Sequence, residues 1–128
     1  MTKNITLPVL ILMLTLSGCE RVQLEKPFSG KVGERFLVDN KLSFSIDSIN
    51  DYRCPLQVVC VWSGDVKVFC TFYEPHNQID TAIYLVNARN SIDIGGYNFK
   101  LLSVKPQSQN GELIPQNEYE LEIIIQKD

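Results

Sequence analysis

The stretch Lys41-Leu42-Ser43-Phe44-Ser45-Ile46-Asp47-Ser48-Ile49 alternates apolar and polar side chains with a period of two. Successive side chains of a β-strand point to opposite faces, so this pattern predicts a strand with one buried and one solvated face. The face expected in the core carries Leu42, Phe44 and Ile46, and the solvated face carries Ser43, Ser45 and Asp47.

The same alternation recurs along the chain from residue 32 onward. Residues 66–73 and 119–125 each place an apolar residue at every second position, and residues 34–38 and 79–86 are further candidate strands. Gly95-Gly96, between Ile94 and Tyr97, is typical of a two-residue hairpin turn. About seven short strands and no helical period predict an all-β domain over residues 32–128. We expect a small antiparallel β-sandwich with an Ig-like arrangement, or a small barrel.

The composition fits one globular domain. The chain has 128 residues, of which 45% are hydrophobic and 21% charged, with a formal net charge of −3. A nucleic-acid-binding protein usually carries a basic excess, so we expect no nucleic-acid partner.

The first 18 residues predict an export signal. Residues 5–16 carry no charge and follow a basic start at Lys3. As a helix they would span about 18 Å, which is short of a hydrocarbon core of about 30 Å. A short apolar run with a basic start is typical of a cleaved signal peptide rather than a transmembrane or core helix.

Leu16-Ser17-Gly18-Cys19 ends this run and resembles the lipobox of bacterial lipoproteins. The resemblance implies cleavage before Cys19 and acylation of its sulfur and amine, so the chain would be held on a membrane by covalent lipid and would need no cofactor. Several acyl chains hold a protein far more firmly than one.

Glu20 follows the cysteine where an inner-membrane lipoprotein would carry Asp, and this implies an outer-membrane location in a two-membrane bacterium. Residues 19–31 are polar, contain Pro27 and Gly30 and show no sustained period. We therefore expect them to form the lipidated cysteine and an extended tether.

Three cysteines remain once Cys19 carries lipid, and an exported protein keeps them in an oxidising compartment. Of the three pairings we favour Cys54–Cys60, which closes a short loop containing Pro55, and leaves Cys70 free at a core-facing strand position. A Cys60–Cys70 bridge is the alternative.

The residues around these cysteines have both structural and functional interpretations. Asp51 and Arg53 fall on one side of an extended segment, where they form either an ion pair that fixes the loop or a recognition pair beside an exposed Trp62. We favour the structural interpretation and expect Trp62 to pack on the disulfide. The C-x5-C-x9-C spacing and the single His76, which falls in a turn, do not match a zinc site, so we expect no metal.

The segment D-x-R-C-P-x-x-V-x-C-x-W-x-G resembles a largely uncharacterised group of small bacterial lipoproteins and secreted domains. The motif is carried by Asp51, Arg53, Cys54, Pro55, Val58, Cys60, Trp62 and Gly64, with Tyr52 where the group usually has Ser. The similarity extends over about residues 33–127. It implies an envelope location and a β fold, and it brings no catalytic residue and no assigned ligand.

These features favour a membrane-anchored, non-catalytic binding module with an envelope protein as a partner. The alternative is an inhibitor of an enzyme that attacks the envelope, or of phage entry. We expect no enzymatic activity, because a Ser or Cys nucleophile needs a base and His76 is the only histidine.

Overall fold

The computed structural model describes residues 20–128, which form nine β-strands and one 3-10 helix. The strands are β1 (Glu20–Arg21), β2 (Phe28–Gly30), β3 (Arg35–Leu37), β4 (Ser43–Asp51), β5 (Val66–Glu74), β6 (Asn77–Tyr84), β7 (Ser91–Ile94), β8 (Tyr97–Lys105) and β9 (Glu120–Lys127), and the helix is Gln116–Glu118. Within these residues no helix is long and apolar enough to cross a membrane.

The strands form two open sheets, with the orders β1-β3-β4-β5-β6 and β2-β9-β8-β7. Every neighbouring pair is antiparallel except β1 and β3, which run parallel. The predicted all-β sandwich is confirmed, and the alternative of a closed barrel is wrong.

The core lies between the sheets and follows the predicted alternation. Phe44 and Ile46 of β4 are buried, as are the predicted core positions of β5 and β9. Phe72 and Phe99 meet edge to face across the core, with their ring centroids 4.8 Å apart. Aromatic pairs prefer this arrangement. The Gly95-Gly96 turn joins β7 to β8 as predicted, with φ of 61° and 83°.

The sandwich has two distinct ends. Residues 52–65, 85–90 and 106–119 connect strands at one end, and residues 38–42, 75–76 and 95–96 connect them at the other. A bond from Arg53 to the Val104 carbonyl joins the two sheets at the first end, and a bond from Tyr97 to Asp39 joins them at the second.

Residues 20–31 differ from the expected tether. β1 pairs with β3, β2 pairs with β9, and Val22 is buried in the core. These residues lack a period of two because the chain crosses from one sheet to the other between β1 and β2. The tether prediction is therefore wrong for the part of the chain that the structure describes. The predicted signal peptide and Cys19 lie outside the described residues.

Candidate functional site

The loop between β4 and β5, residues 52–65, is closed by a disulfide, and we call it the cystine loop. Cys54 and Cys60 are bridged, with their Cα atoms 5.9 Å apart, so the favoured pairing is confirmed and Cys60–Cys70 is wrong. Cys70 is free and buried in β5, and burial, with the nearby charge of Asp47, raises the pKa of its thiol to about 12.

The two legs of the cystine loop extend the ladder between β4 and β5. The Tyr52 amide donates to the Asp65 carbonyl over 3.0 Å, and the Cys54 amide donates to the Ser63 carbonyl over 3.1 Å. Gly64 allows the legs to approach, because it has φ of 67° and any Cβ there would collide with the Tyr52 carbonyl oxygen. The loop therefore has a fixed base.

Arg53 ties this base to the second sheet. Its Nε and Nη2 donate to the two carboxylate oxygens of Asp51 over 2.9 and 2.8 Å, and both side chains are about 10% exposed. Nη1 donates to the Val104 carbonyl at 2.9 Å and Nη2 to the Pro106 carbonyl at 3.0 Å. Asp51 and Arg53 thus form an ion pair that fixes the loop, as the structural interpretation has it.

Tyr119, the residue directly before β9, completes this network, and its hydroxyl donates to Asp51 over 3.0 Å. Burial by itself raises the pKa of Asp51, but the hydrogen bonds and charge of Arg53, with the Tyr119 hydroxyl, outweigh it and hold that pKa below its ordinary value. Burial and the Asp51 carboxylate raise the pKa of Tyr119 to about 12. Both groups therefore keep one protonation state over a wide range around neutral pH.

The segment after β8 supports the other side of the cystine loop. The amides of Leu56 and Gln57 donate to the carbonyls of Ser108 and Gln109 over 2.9 and 2.7 Å. The Gln107 side chain donates to the Cys54 carbonyl over 2.8 Å. The loop is therefore held by the disulfide, by the Arg53 network and by a neighbouring segment.

Asp65 is a site residue that the sequence analysis missed. It is buried at the end of the cystine loop, and its carboxylate accepts hydrogen bonds from four backbone amides, those of Val66, Leu85, Val86 and Asn87. An Asp after Gly64 and directly before an apolar strand is a turn and cap signal that could have found it.

The far part of the cystine loop exposes a group of large apolar side chains. We call this group the apolar tip; its members are Leu56, Val58, Val59, Val61 and Trp62. Trp62 is 81% exposed, so the expectation that it packs on the disulfide is wrong. The base of the loop is bonded at the end of the sandwich, and the tip side chains stay exposed to solvent.

A small cleft of about 320 Å³ lies beside the loop, with Asp51, Arg53, Pro55, Leu113 and Tyr119 among its lining residues. The charged groups on its wall already bond to protein atoms, since both oxygens of Asp51 accept from Arg53. His76 lies in the β5–β6 turn at the opposite end of the sandwich. Among residues 20–128, no cluster of three or more His, Cys, Asp or Glu side chains is placed to hold a metal ion.

Comparison with protein-family models, with curated proteins and with solved structures finds no match to this chain. The resemblance carried by residues 51–64 therefore stays a prediction. The site is defined by its own geometry, which is a rigid base with a projecting apolar tip.

Proposed function

We propose that this chain is a membrane-anchored bacterial envelope lipoprotein whose β-sandwich is a non-catalytic binding module. The anchor is lipid on Cys19, and the location is the outer membrane where two membranes exist. The observation that carries the proposal is the apolar tip. Its exposed side chains lie on a loop that is held by the disulfide, by the Arg53 network and by the segment after β8.

The free-energy cost of ordering this loop supports a contact role. Fixing a backbone residue costs about 1–2 kcal/mol, and the tip side chains return little of this because they are not buried. Burying a Val or Leu side chain contributes about 1.5–3 kcal/mol. Folding leaves the tip side chains exposed, so this free energy is available when a partner covers them. A loop that is already ordered also loses little entropy when it binds.

The placement of polar groups supports binding rather than catalysis. Asp51, Arg53 and Asp65 are the charged groups at the base of the loop, and each is engaged by protein atoms. The tip itself presents aliphatic and indole surface, which can bury area but cannot transfer a proton.

An inhibitor is the second candidate, and the shape of the loop favours it. A projecting loop, closed by a disulfide and lined by apolar side chains, can enter the cleft of an enzyme. A photo-crosslinking amino acid at Val59, introduced into the full chain in cells, captures the partner. Both candidates predict a protein adduct from Val59 and none from Leu102, which lies on β8 in the other sheet. For an inhibitor the adduct is an enzyme whose activity falls when the purified domain of residues 20–128 is added, and for a binding module that activity is unchanged.

The anchor is tested by metabolic labelling with a fatty-acid analogue. We expect the wild-type chain and a Cys70→Ala variant to be labelled, because Cys70 is buried in the core. Cys19→Ala should abolish the label and leave an uncleaved precursor. Equal labelling of Cys19→Ala and wild type would overturn the proposed function.

A further inference from the structure

We infer that the apolar tip docks on the lipid surface that holds the anchor, so that the domain rests on the membrane at two points. The inference rests on the proposed acylation of Cys19 and names the partner of the binding surface. It follows from the direction of the chain, the distance to the loop and the chemistry of the tip.

The first described strand, β1, runs in the direction that leads away from the cystine loop. β1 runs parallel to β3, and β3 runs antiparallel to β4, so β1 also runs antiparallel to β4. β4 reaches the cystine loop at its C-terminal end, Asp51. Glu20 is therefore the end of β1 that faces the cystine loop, and Cys19 precedes it directly in the sequence.

The register gives the separation between Glu20 and the base of the cystine loop along the strand direction. Glu20 is level with Phe36, Phe44 and Phe72 across the sheet. From Phe72 to Val66, where the cystine loop ends, is six residues, or about 20 Å at roughly 3.3 Å per residue. Because β1 belongs to the sheet, no tether lifts the domain away. β1 also lies three strands from β5, or about 14 Å at roughly 4.8 Å per strand. Contact at both points therefore requires the strands to lie at a shallow angle to the membrane.

The chemistry of the tip matches a lipid interface. Residues 54–64 contain no charged side chain, and the tip combines a tryptophan with aliphatic residues. Tryptophan is enriched at the boundary between headgroups and acyl chains, and aliphatic side chains gain free energy when they leave water. A charged residue in this part of the loop would oppose such contact.

Charge attraction does not explain the contact. Removal of residues 1–18 takes away Lys3, which leaves 11 basic and 15 acidic residues and a side-chain charge of 11 − 15 = −4. The docking is therefore apolar, and a zwitterionic membrane is the appropriate probe. A weak contact is sufficient, since the anchor makes tip binding an intramolecular step at high effective concentration.

Trp62 provides the test because it is the only tryptophan in the chain. The full chain is expressed in bacteria, purified in its processed form, examined by mass spectrometry for acyl groups, and placed in phosphatidylcholine vesicles with or without brominated acyl chains. A tip lying about 5–10 Å into the interface predicts blue-shifted Trp62 emission and roughly twofold or greater quenching by bromine.

Matched variants separate tip docking from simple proximity to the vesicle. Val59→Asn combined with Val61→Asn keeps Trp62 and changes two exposed positions, so the fold should persist while quenching is lost. Leu102→Asn, at a position that is 38% exposed on β8, should leave quenching unchanged.

Each other result overturns the inference in a distinguishable way. Acylated protein with water-like, unquenched Trp62 contradicts tip docking and leaves the proposed anchor intact. Blue-shifted emission without bromine quenching places the tip against protein instead of lipid. Quenching that survives the double Asn variant contradicts a role for the tip, and a Cys19 without acyl groups overturns the proposed function and this inference together.

Discussion

Replacement of Arg53 by alanine is expected to lower the free energy of unfolding by about 3–4 kcal/mol. The change removes both side-chain bonds to Asp51 and leaves the Val104 and Pro106 carbonyls without their guanidinium donor. Breaking a buried ion pair costs about 3–5 kcal/mol, and we take the lower part of that range because both side chains are about 10% exposed. Asp51 also keeps its bond from Tyr119.

The assay is urea unfolding of the domain of residues 20–128, followed by far-ultraviolet circular dichroism. Arg53→Lys keeps the charge but cannot make the two-pronged bond, so it should lose about 1–2 kcal/mol. Arg89→Ala, at an exposed position, should change stability by less than about 0.5 kcal/mol. An Arg53→Ala midpoint equal to that of Arg89→Ala would refute the idea that Arg53 joins the two sheets.

Three other perturbations have defined outcomes. Asp65→Ala should cost about 2–4 kcal/mol in urea unfolding, because four backbone amides lose one buried acceptor; a loss below 0.5 kcal/mol, on the scale of an ordinary surface change, would contradict this. Replacing Cys54 and Cys60 together by serine should cost about 2–3 kcal/mol, read from the thermal midpoint, and an unchanged midpoint would count against it. The folded pKa of Asp51 is lowered, so its contribution is present above the ordinary value of 3.8 and is lost as pH falls below it. Asp51→Asn should therefore have a lower free energy of unfolding than wild type at neutral pH, and should lose less of it between pH 5 and 2. Parallel curves of unfolding free energy against pH for the two proteins would argue against the pairing of Asp51 with Arg53.

Much of the fold follows from local sequence. Alternation at Phe44 and Ile46, and again along β5 and β9, identifies buried faces because one pleated face must cover the other sheet. The Gly95-Gly96 turn and the Cys54–Cys60 bridge can also be predicted, since each depends on residues that are close in sequence.

The remaining features depend on contacts that local pattern does not encode. The sequence does not predict β1 and β2, because the chain crosses from one sheet to the other between them. The apolar residues Val22 and Phe28 therefore pack from different sheets and do not share one alternating pattern. The sequence favours a Trp62 that packs on the disulfide, because the two are close in the chain. The exposure of Trp62 depends on the Arg53 network and on Ser108 and neighbouring residues, which fix the loop base and leave its tip exposed to solvent.

The central claim is that the cystine loop is ordered by its base while its apolar tip is free for contact. Urea unfolding of Trp62→Ala, followed by circular dichroism, tests it most directly. The account predicts a free energy of unfolding within about 0.5 kcal/mol of wild type, as for other exposed positions. A loss of about 3–5 kcal/mol, typical of a buried tryptophan, would contradict it and make Trp62 a part of the fold.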